Sequence, residues 1–340
     1  MDGRTATLIF ESGESRQISV GLFETVEQAA RRQGIALLTD CREGACGTCK
    51  AKCLSGEYQL NDHSTEALPE VEASSGFVLT CQMRVLSSCV VEFDYPFSKT
   101  SGRPAAPLTT TIRSLARVSD TVMCVRLEAA SGERLSFLPG QYAHLVVPGA
   151  SVARAYSFAN EPERGELAFY VRLLEGGAMG DYLLRRARPG DLVELHGPLG
   201  RFFLRDPSRP LLMVAGGTGL APMLSMLHHL AERRTRPPAI YLIYGANRPI
   251  DLFGLAEISR LQSKIGSLKP VICVAEKGGD WEGHVGLVSD VAAAQEIDFT
   301  TIDIYLCGPP PMIAHAETLL KDRGARPERI FAERFVPAPP

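Results

Sequence analysis

The sequence has no long basic stretch. Its 340 residues carry a formal net charge of −3, which weighs against a nucleic-acid partner. The one short basic cluster, Arg185-Arg186-Ala187-Arg188, reads as a solvated helix face. No unbroken apolar run of membrane-spanning length occurs. The longest, Leu211 to Leu227, is interrupted by Gly216, Gly217, Gly219 and Pro222. The start, Met1-Asp2-Gly3-Arg4-Thr5, lacks the apolar core of a signal peptide. The expectations are no membrane span, no nucleic acid and a cytoplasmic location. There is no internal repeat and no G-x-G-x-x-G fingerprint. A second C-x2-C pair, which zinc sites favour, is missing too. Hydrophobic residues make up 45% and charged residues 22% of the chain, an ordinary globular balance, and the length calls for two or three domains.

What is present is cysteine in a specific pattern. Cys41, Cys46 and Cys49 stand in Asp40-Cys41-Arg42-Glu43-Gly44-Ala45-Cys46-Gly47-Thr48-Cys49, and Cys81 follows after 31 intervening residues. The spacing C-x4-C-x2-C…C is that of a plant-type [2Fe–2S] ligand set. Four thiolates hold two irons, three from one tight loop and the fourth from a later segment. Gly44 and Gly47 let the loop wrap close and turn N–H groups toward the sulfurs. The other cysteines, Cys53, Cys89, Cys124, Cys273 and Cys307, read mostly as small buried apolar residues. Cys53 is no fifth ligand, because such a cluster takes four. Nine cysteines fit a reducing compartment.

Three patterns follow one another along the chain. Thr5 to Phe10 and Arg16 to Val20 alternate as paired strands. Thr25 caps a helix over Val26 to Gln33, stopped by Gly34. Val78 to Cys81 brings in the fourth thiol, and Val90 to Phe93 is a last strand. Residues 99–107 have linker composition. From Leu108 to about Asp206, short alternating runs separated by Gly and Pro predict an antiparallel barrel. From Arg209, strand-like runs at Leu211 to Ala215, Ile240 to Tyr244, Val271 to Ala275 and Ile304 to Cys307 alternate with helices over Pro222 to Arg233 and Met312 to Arg323. That alternation predicts a doubly wound parallel sheet. A last strand is expected over Ile330 to Phe335. The fold class is multidomain, α+β and α/β. The expected boundaries are 1–97, a linker at 98–107, 108–206 and 207–340.

Two further motifs carry chemistry. Arg154-Ala155-Tyr156-Ser157 follows a barrel strand, and Gly176-Gly177-Ala178-Met179-Gly180 opens a helix at Asp181 to Arg186. Arg154 offers a fork to a phosphate. Tyr156 offers a ring to an isoalloxazine, and Ser157 a hydroxyl near the flavin N5. Free N–H groups after Gly177 suit a pyrophosphate. Gly197-Pro198-Leu199-Gly200-Arg201-Phe202 closes the barrel segment. The second motif is a pair of strand-turn-helix junctions. Gly216-Gly217-Thr218-Gly219 precedes Leu220-Ala221-Pro222, and Cys307-Gly308-Pro309 precedes Pro310-Pro311-Met312. Both turns would lie at the carboxyl ends of parallel strands, where open α/β sheets bind ligands.

Together these residues resemble the ferredoxin–NADP reductase superfamily, preceded by a plant-type ferredoxin. Over residues 5–336 the chain is similar to the reductases of benzoate, toluate and anthranilate 1,2-dioxygenases. The resemblance implies a β-grasp ferredoxin, a flavin barrel and a nicotinamide domain. Cys41, Cys46, Cys49 and Cys81 would hold the cluster. Arg154, Tyr156, Ser157 and Gly177-Ala178-Met179-Gly180 would hold FAD. Gly216-Gly217-Thr218-Gly219 and Cys307-Gly308-Pro309 would form the nicotinamide niche, and Glu333 and Phe335 would stand beside the flavin. Ser157, Cys307 and Glu333 are the candidate catalytic residues. The chain departs from the family at Gly180, often Ser or Thr, and at Asn160, often Ser, so FMN stays open beside FAD. The implied activity passes electrons from NADH through FAD and the [2Fe–2S] cluster to a Rieske-type terminal oxygenase acting on an aromatic substrate. That partner would dock transiently near the cluster loop by complementary charge. The reductase of a diiron phenol or alkane monooxygenase, the reductase of a deoxysugar dehydratase system and a redox sensor are the competing readings. Arg248 and Asp251, after the second strand of the parallel sheet, leave the choice between NADH and NADPH open from local chemistry, while the resemblance favours NADH.

Overall fold

The structure, a computed structural model, describes residues 4–100, 107–132, 134–162, 165–205, 207–235 and 237–335. It divides into two compact units. One comprises Met1–Ala106 with Leu199–Arg201, the other Pro107–Pro198 with Phe202–Pro340. Residues 101–106 of the expected linker and the tail 337–340 lie outside the described residues. Among the described residues no helix is long and apolar enough to cross a membrane.

In the first unit, β1 (Arg4–Phe10) and β2 (Ser15–Val20) pair antiparallel. Ala6, Leu8 and Phe10 alternate into the core. Helix α1 (Val26–Arg32) starts at a capping box: the Thr25 hydroxyl accepts from Gln28 N, and Gln28 Oε1 accepts from Thr25 N at 3.0 Å. After the cysteine loop come β3 (Lys50–Ser55), β4 (Tyr58–Leu60), α2 (Glu70–Ser74), β5 (Phe77–Leu79), β6 (Met83–Val85) and β7 (Cys89–Phe93). The mixed sheet runs β2-β1-β7-β3-β5, with β7 parallel to β1 and antiparallel to β3. This is the expected β-grasp arrangement. Strands β4 to β6 have only three residues each, and β3 is interrupted by a bulge, so period-2 reading passed over most of them. The unit also reaches past residue 97: Phe97–Thr100 forms a 3-10 turn whose buried Thr100 accepts from Ala36 N at 3.1 Å.

The second unit opens with β8 (Leu108–Ser119), β9 (Val122–Ala129), β10 (Tyr142–Val146), β11 (Ala153–Ser157), β12 (Glu166–Arg172), α3 (Ala178–Arg185) and β13 (Leu192–Leu199). Their sheet runs β11-β10-β13-β8-β9-β12, and a bridge between Phe158 and Phe169 draws its two edges together. Arg154 to Ser157 follows the barrel strand β10 as expected, and the motif is itself the next strand, β11, paired to β10 from Tyr142↔Ser157 to Val146↔Ala153.

The parallel sheet is built from β14 (Leu211–Gly216), α4 (Leu220–Glu232), β15 (Ile240–Ala246), α5 (Leu255–Ile265), β16 (Leu268–Val274), β17 (His284–Val285), α6 (Val288–Ala293), β18 (Asp303–Gly308), α7 (Pro310–Asp322) and β19 (Ile330–Arg334). Its order is β17-β16-β15-β14-β18-β19, all parallel. The central strand is apolar on both faces, as a sheet covered by helices on both sides requires. Leu211, Met213 and Ala215 share a core with α4 and α5, while Leu212 and Val214 share one with residues of α6 and α7. The last strand ends at Arg334, one residue earlier than expected.

Candidate cluster and dinucleotide sites

The cysteine loop folds as its spacing demands. Gly44 has φ +75, and a Cβ there would stand 2.8 Å from His63 Cβ and 2.9 Å from Gln82 Cγ, so glycine is required. The loop turns its N–H groups inward: Glu43 N and Ala45 N donate to Cys41 Sγ at 3.5 and 3.4 Å. The thiols stand as two contacting pairs, Cys41 with Cys46 and Cys49 with Cys81, the latter at 3.2 Å. In each pair one thiol is lowered and the other raised, since the lowered partner receives the other's hydrogen bond. Cys46 and the loop N–H groups push Cys41 down to about 5, against burial. Cys81 is lowered by Cys49. Among the described residues no three His, Cys, Asp or Glu side chains form a mononuclear metal position. Two thiol pairs, each suited to one iron, fit a binuclear cluster. The sequence reading missed Gln82. Its amide donates to Arg42 O at 3.2 Å and to Cys81 Sγ at 3.7 Å, and its place beside Cys81 was the available signal.

Strand β11 carries Arg154, Tyr156 and Ser157. Arg154 and Tyr156 are partly exposed and Ser157 is buried. Arg154 Nη1 donates to Ala153 O at 3.1 Å. Burial raises the Tyr156 phenol above its ordinary range, so the phenol stays a neutral donor. Gly177 is the N-cap of α3, with no capping side chain, and Ala178, Met179 and Gly180 form its first turn. A Cβ at Gly180 would meet Leu174 O at 3.2 Å and Leu174 N at 3.4 Å. The turn before α3 therefore crowds the position a Ser or Thr would take. Asn160, the other departure, is a structural tie. Its Nδ2 donates to Glu161 O and Glu166 O, and its Oδ1 accepts from Ala168 N at 2.7 Å. The helix start and the β11 side chains fit a flavin with its phosphates.

Helix α4 brings the nicotinamide motif to this strand. Ser225 Oγ donates to Asn160 O at 2.8 Å, and Ala159, Ala168 and Ala221 pack together. The two strand-end turns, 91 residues apart by their first glycine and first cysteine, meet because β14 and β18 are neighbours. A Cβ on Gly216 would stand 2.4 Å from Met312 Sδ, and one on Gly219 would stand 2.1 Å from Cys307 O. Gly217 is different. It has φ +55 and nothing within 4 Å of its Cβ position, so backbone there is open to a ligand, as a dinucleotide turn requires. Cys307 is fully buried, and burial first, then Glu333, raises its thiol well above the ordinary range. The thiol is thus protonated and inert as a nucleophile. Glu333 lies opposite it in the β18–β19 register, and Phe335 N donates to Gly308 O at 3.0 Å. At the end of β15, Arg248 Nε and Nη2 donate to Asp251 at 3.1 and 3.3 Å, and Thr121 Oγ1 donates to it at 3.3 Å.

A thiol set for a [2Fe–2S] cluster, a flavin barrel and a nicotinamide sheet define an electron-transfer oxidoreductase. Family models match accordingly: a 2Fe-2S iron-sulfur cluster binding domain over residues 9–86, an oxidoreductase FAD-binding domain over 109–204 and an oxidoreductase NAD-binding domain over 213–318. The chain is 40% identical over 332 residues to the toluate 1,2-dioxygenase electron transfer component of Pseudomonas putida, covering 96% of this chain and 97% of that one. It is 35% identical to the anthranilate 1,2-dioxygenase electron transfer component of Acinetobacter baylyi, covering 98% and 97%. It is also 35% identical to the propane 2-monooxygenase reductase component of Mycolicibacterium smegmatis, covering 92% of each. Among solved structures, the Amycolatopsis cytochrome P450 reductase GcoB superposes with TM-score 0.73 at 30% identity, over 98% of this chain and 99% of that one. The chain belongs to this family of three-module flavin and iron–sulfur electron transfer components, with [2Fe–2S], FAD and NAD as its cofactors.

Proposed function

We propose that the chain is the NADH-dependent reductase of a ring-hydroxylating dioxygenase and supplies electrons to a Rieske-type terminal oxygenase acting on a benzoate- or anthranilate-like aromatic acid. The observation that carries this reading is similarity along nearly the full length to dioxygenase electron transfer components, with the modules in one order. A cytoplasmic setting and transient docking by complementary charge belong to the same reading, as do domain limits at residues 107 and 206. The similarity to propane 2-monooxygenase reductases favours a second reading, in which the partner is a monooxygenase.

The roles proposed for this chain's residues follow their placement. Cys41, Cys46, Cys49 and Cys81 hold the cluster, and Gln82 and the Glu43 and Ala45 N–H groups face its sulfurs. Arg154 and the start of α3 hold the FAD phosphates, Tyr156 lies against the ring, and Ser157 bonds near N5. The Gly216 to Gly219 turn and Cys307-Gly308-Pro309 seat the nicotinamide, with Glu333 and Phe335 beside it. Bound FAD supplies the conversion of a two-electron hydride donor into single electrons, which a [2Fe–2S] centre takes one at a time. The protein supplies orientation and keeps the Cys307 and Tyr156 protons in place.

An anaerobic absorbance titration with NADH tests this. Bleaching of both flavin and iron–sulfur bands, at about three electrons per molecule, is expected. Bleaching of the flavin alone would sink the proposed coupling. Turnover reconstituted with a Rieske oxygenase and benzoate, against a diiron component and alkane, separates the two partner readings.

A further inference from the structure

Two cysteines outside the ligand set meet in the first unit. Cys53 lies on β3 and Cys89 on the adjacent β7. In a regular antiparallel ladder they would be diagonal neighbours, about 7–8 Å apart. The ladder is not regular here. Cys53 pairs with Val91 but Ser55 with Val90, so Leu54 is an extra residue on β3. Both side chains lie on the face that Val91 shares. The following turn makes room for the sulfur. A Cβ on Gly56 would stand 2.7 Å from Cys89 Sγ and 2.4 Å from Ser88 O, so only glycine lets the Cys89 thiol occupy that space. The two thiols bond carbonyls of one short turn, Cys53 Sγ to Ser55 O at 3.3 Å and Cys89 Sγ to Glu57 O at 3.3 Å. Both sulfurs are thus held at the one turn that joins β3 to Glu57. Cys89 is buried, and Cys53 is partly open to solvent.

We propose that Cys53 and Cys89 form a redox-active dithiol, oxidised reversibly to an intrachain disulfide that staples β3 to β7. The oxidant is hydrogen peroxide, the product of two-electron transfer from a reduced flavin to dioxygen. Peroxide oxidises the accessible Cys53 sulfur to a sulfenic acid, releasing one water. The Cys89 sulfur then attacks the Cys53 sulfur, the S–S bond forms, and hydroxide leaves with the Cys89 proton as a second water. Two electrons pass from the thiols to peroxide, and a dithiol reductant reverses the change. Burial raises both thiols above the ordinary range, so the reaction runs through a small thiolate fraction and is slow. The strand it staples starts at Lys50, directly after the cluster ligand Cys49. A flavoprotein that leaks electrons to dioxygen would thereby reinforce the exit of its own cluster loop.

The test uses the loaded holoprotein turning over NADH in air, with and without catalase. The protein is then alkylated, digested and mapped by mass spectrometry. The expected result is a Cys53–Cys89 cross-linked peptide, abolished by catalase and reversed by dithiothreitol, with cluster absorbance retained. Cys89→Ser should remove the cross-link and let Cys53 run on to sulfinic acid, with NADH:ferricyanide turnover unchanged. Cys53→Ser, at the more open position, is the second variant and should leave Cys89 reduced. Recovery of both residues as free thiols in samples in which hydrogen peroxide has been shown to accumulate would overturn the proposal. So would a cross-link joining either of them to a cluster cysteine instead.

Discussion

Gly219 lies directly beneath Cys307: a Cβ on it would stand 2.1 Å from the Cys307 carbonyl oxygen and 2.6 Å from its carbonyl carbon. Two motifs far apart in sequence are thus in backbone contact. The atoms that would be struck are main chain of a central strand and cannot swing aside. Gly219→Ala should destabilise the second unit by about 1–3 kcal/mol or more through overpacking. It should also raise KM for NADH. Thermal unfolding followed at Trp281, with iron–sulfur absorbance as the control for the first unit, checks this. An unchanged melting temperature and KM would show that the turn relaxes freely.

Cys307 is buried and its thiol is raised well above the ordinary range by burial. It should therefore resist iodoacetamide at neutral pH in the folded protein. Cys307→Ala should slow flavin reduction by NADH, on the order of tenfold, while cluster absorbance stays intact. Stopped-flow reduction at the flavin band decides the matter, and normal reduction in the variant would remove Cys307 from the niche.

Asp251 holds the half-exposed Arg248 by two hydrogen bonds and is itself held by Thr121. In this arrangement the arginine is turned to a carboxylate and not to a 2′-phosphate. The wild-type protein should prefer NADH. Asp251→Asn should free the guanidinium and raise kcat/KM for NADPH relative to NADH by about tenfold, or ~1.4 kcal/mol. The paired rate constants test it, and an unaltered ratio would place Arg248 away from the ribose.

Glu257 joins the barrel to the parallel-sheet segment. Its Oε1 contacts His228 Nε2 at 2.6 Å, and its Oε2 accepts from Tyr170 OH at 3.0 Å. Burial by itself would raise its pKa, but His228, Tyr170 and Arg260 hold it below the ordinary 4.5. A carboxyl lowered by folding stabilises the native state fully above its unfolded value. That stabilisation is lost as pH falls below 4.5 and through the lower folded value. Glu257→Gln should cost about 1–3 kcal/mol near neutrality, and its deficit against wild type should shrink between roughly pH 6 and pH 3. Melting curves of both proteins across that range provide the check. A deficit independent of pH would assign the loss to packing and not to charge.

Much of the site was legible because its chemistry is local. Cys41, Cys46 and Cys49 share one loop, and the spacing itself states the ligand set. Arg154, Tyr156 and Ser157 were legible as a motif but not as a strand. Their pairing with β10 depends on residues nine to fifteen positions earlier, and the segment is too short and polar for period-2 reading. Most of β3 to β6 escaped because three of them have only three residues and the fourth carries a bulge. Gly180 read as the loss of a phosphate-binding hydroxyl, and Asn160 as a departure from a motif serine. In the structure Leu174 crowds the first position, and the Asn160 amide secures the second to Glu161, Glu166 and Ala168.

By itself the sequence determined the order of modules, and it singled out the four thiols proposed for the cluster and the two glycine turns. Each is carried by residue types at short fixed spacing, where the backbone leaves little freedom. The tertiary structure alone decided which distant pieces touch. It made the turn at Gly219 abut Cys307, buried the Cys307 thiol, tied Asp251 to Arg248 and Thr121, and placed Cys53 beside Cys89 through one bulge. Those contacts depend on strand order and register, and burial and sheet pairing fix these only when the whole chain packs.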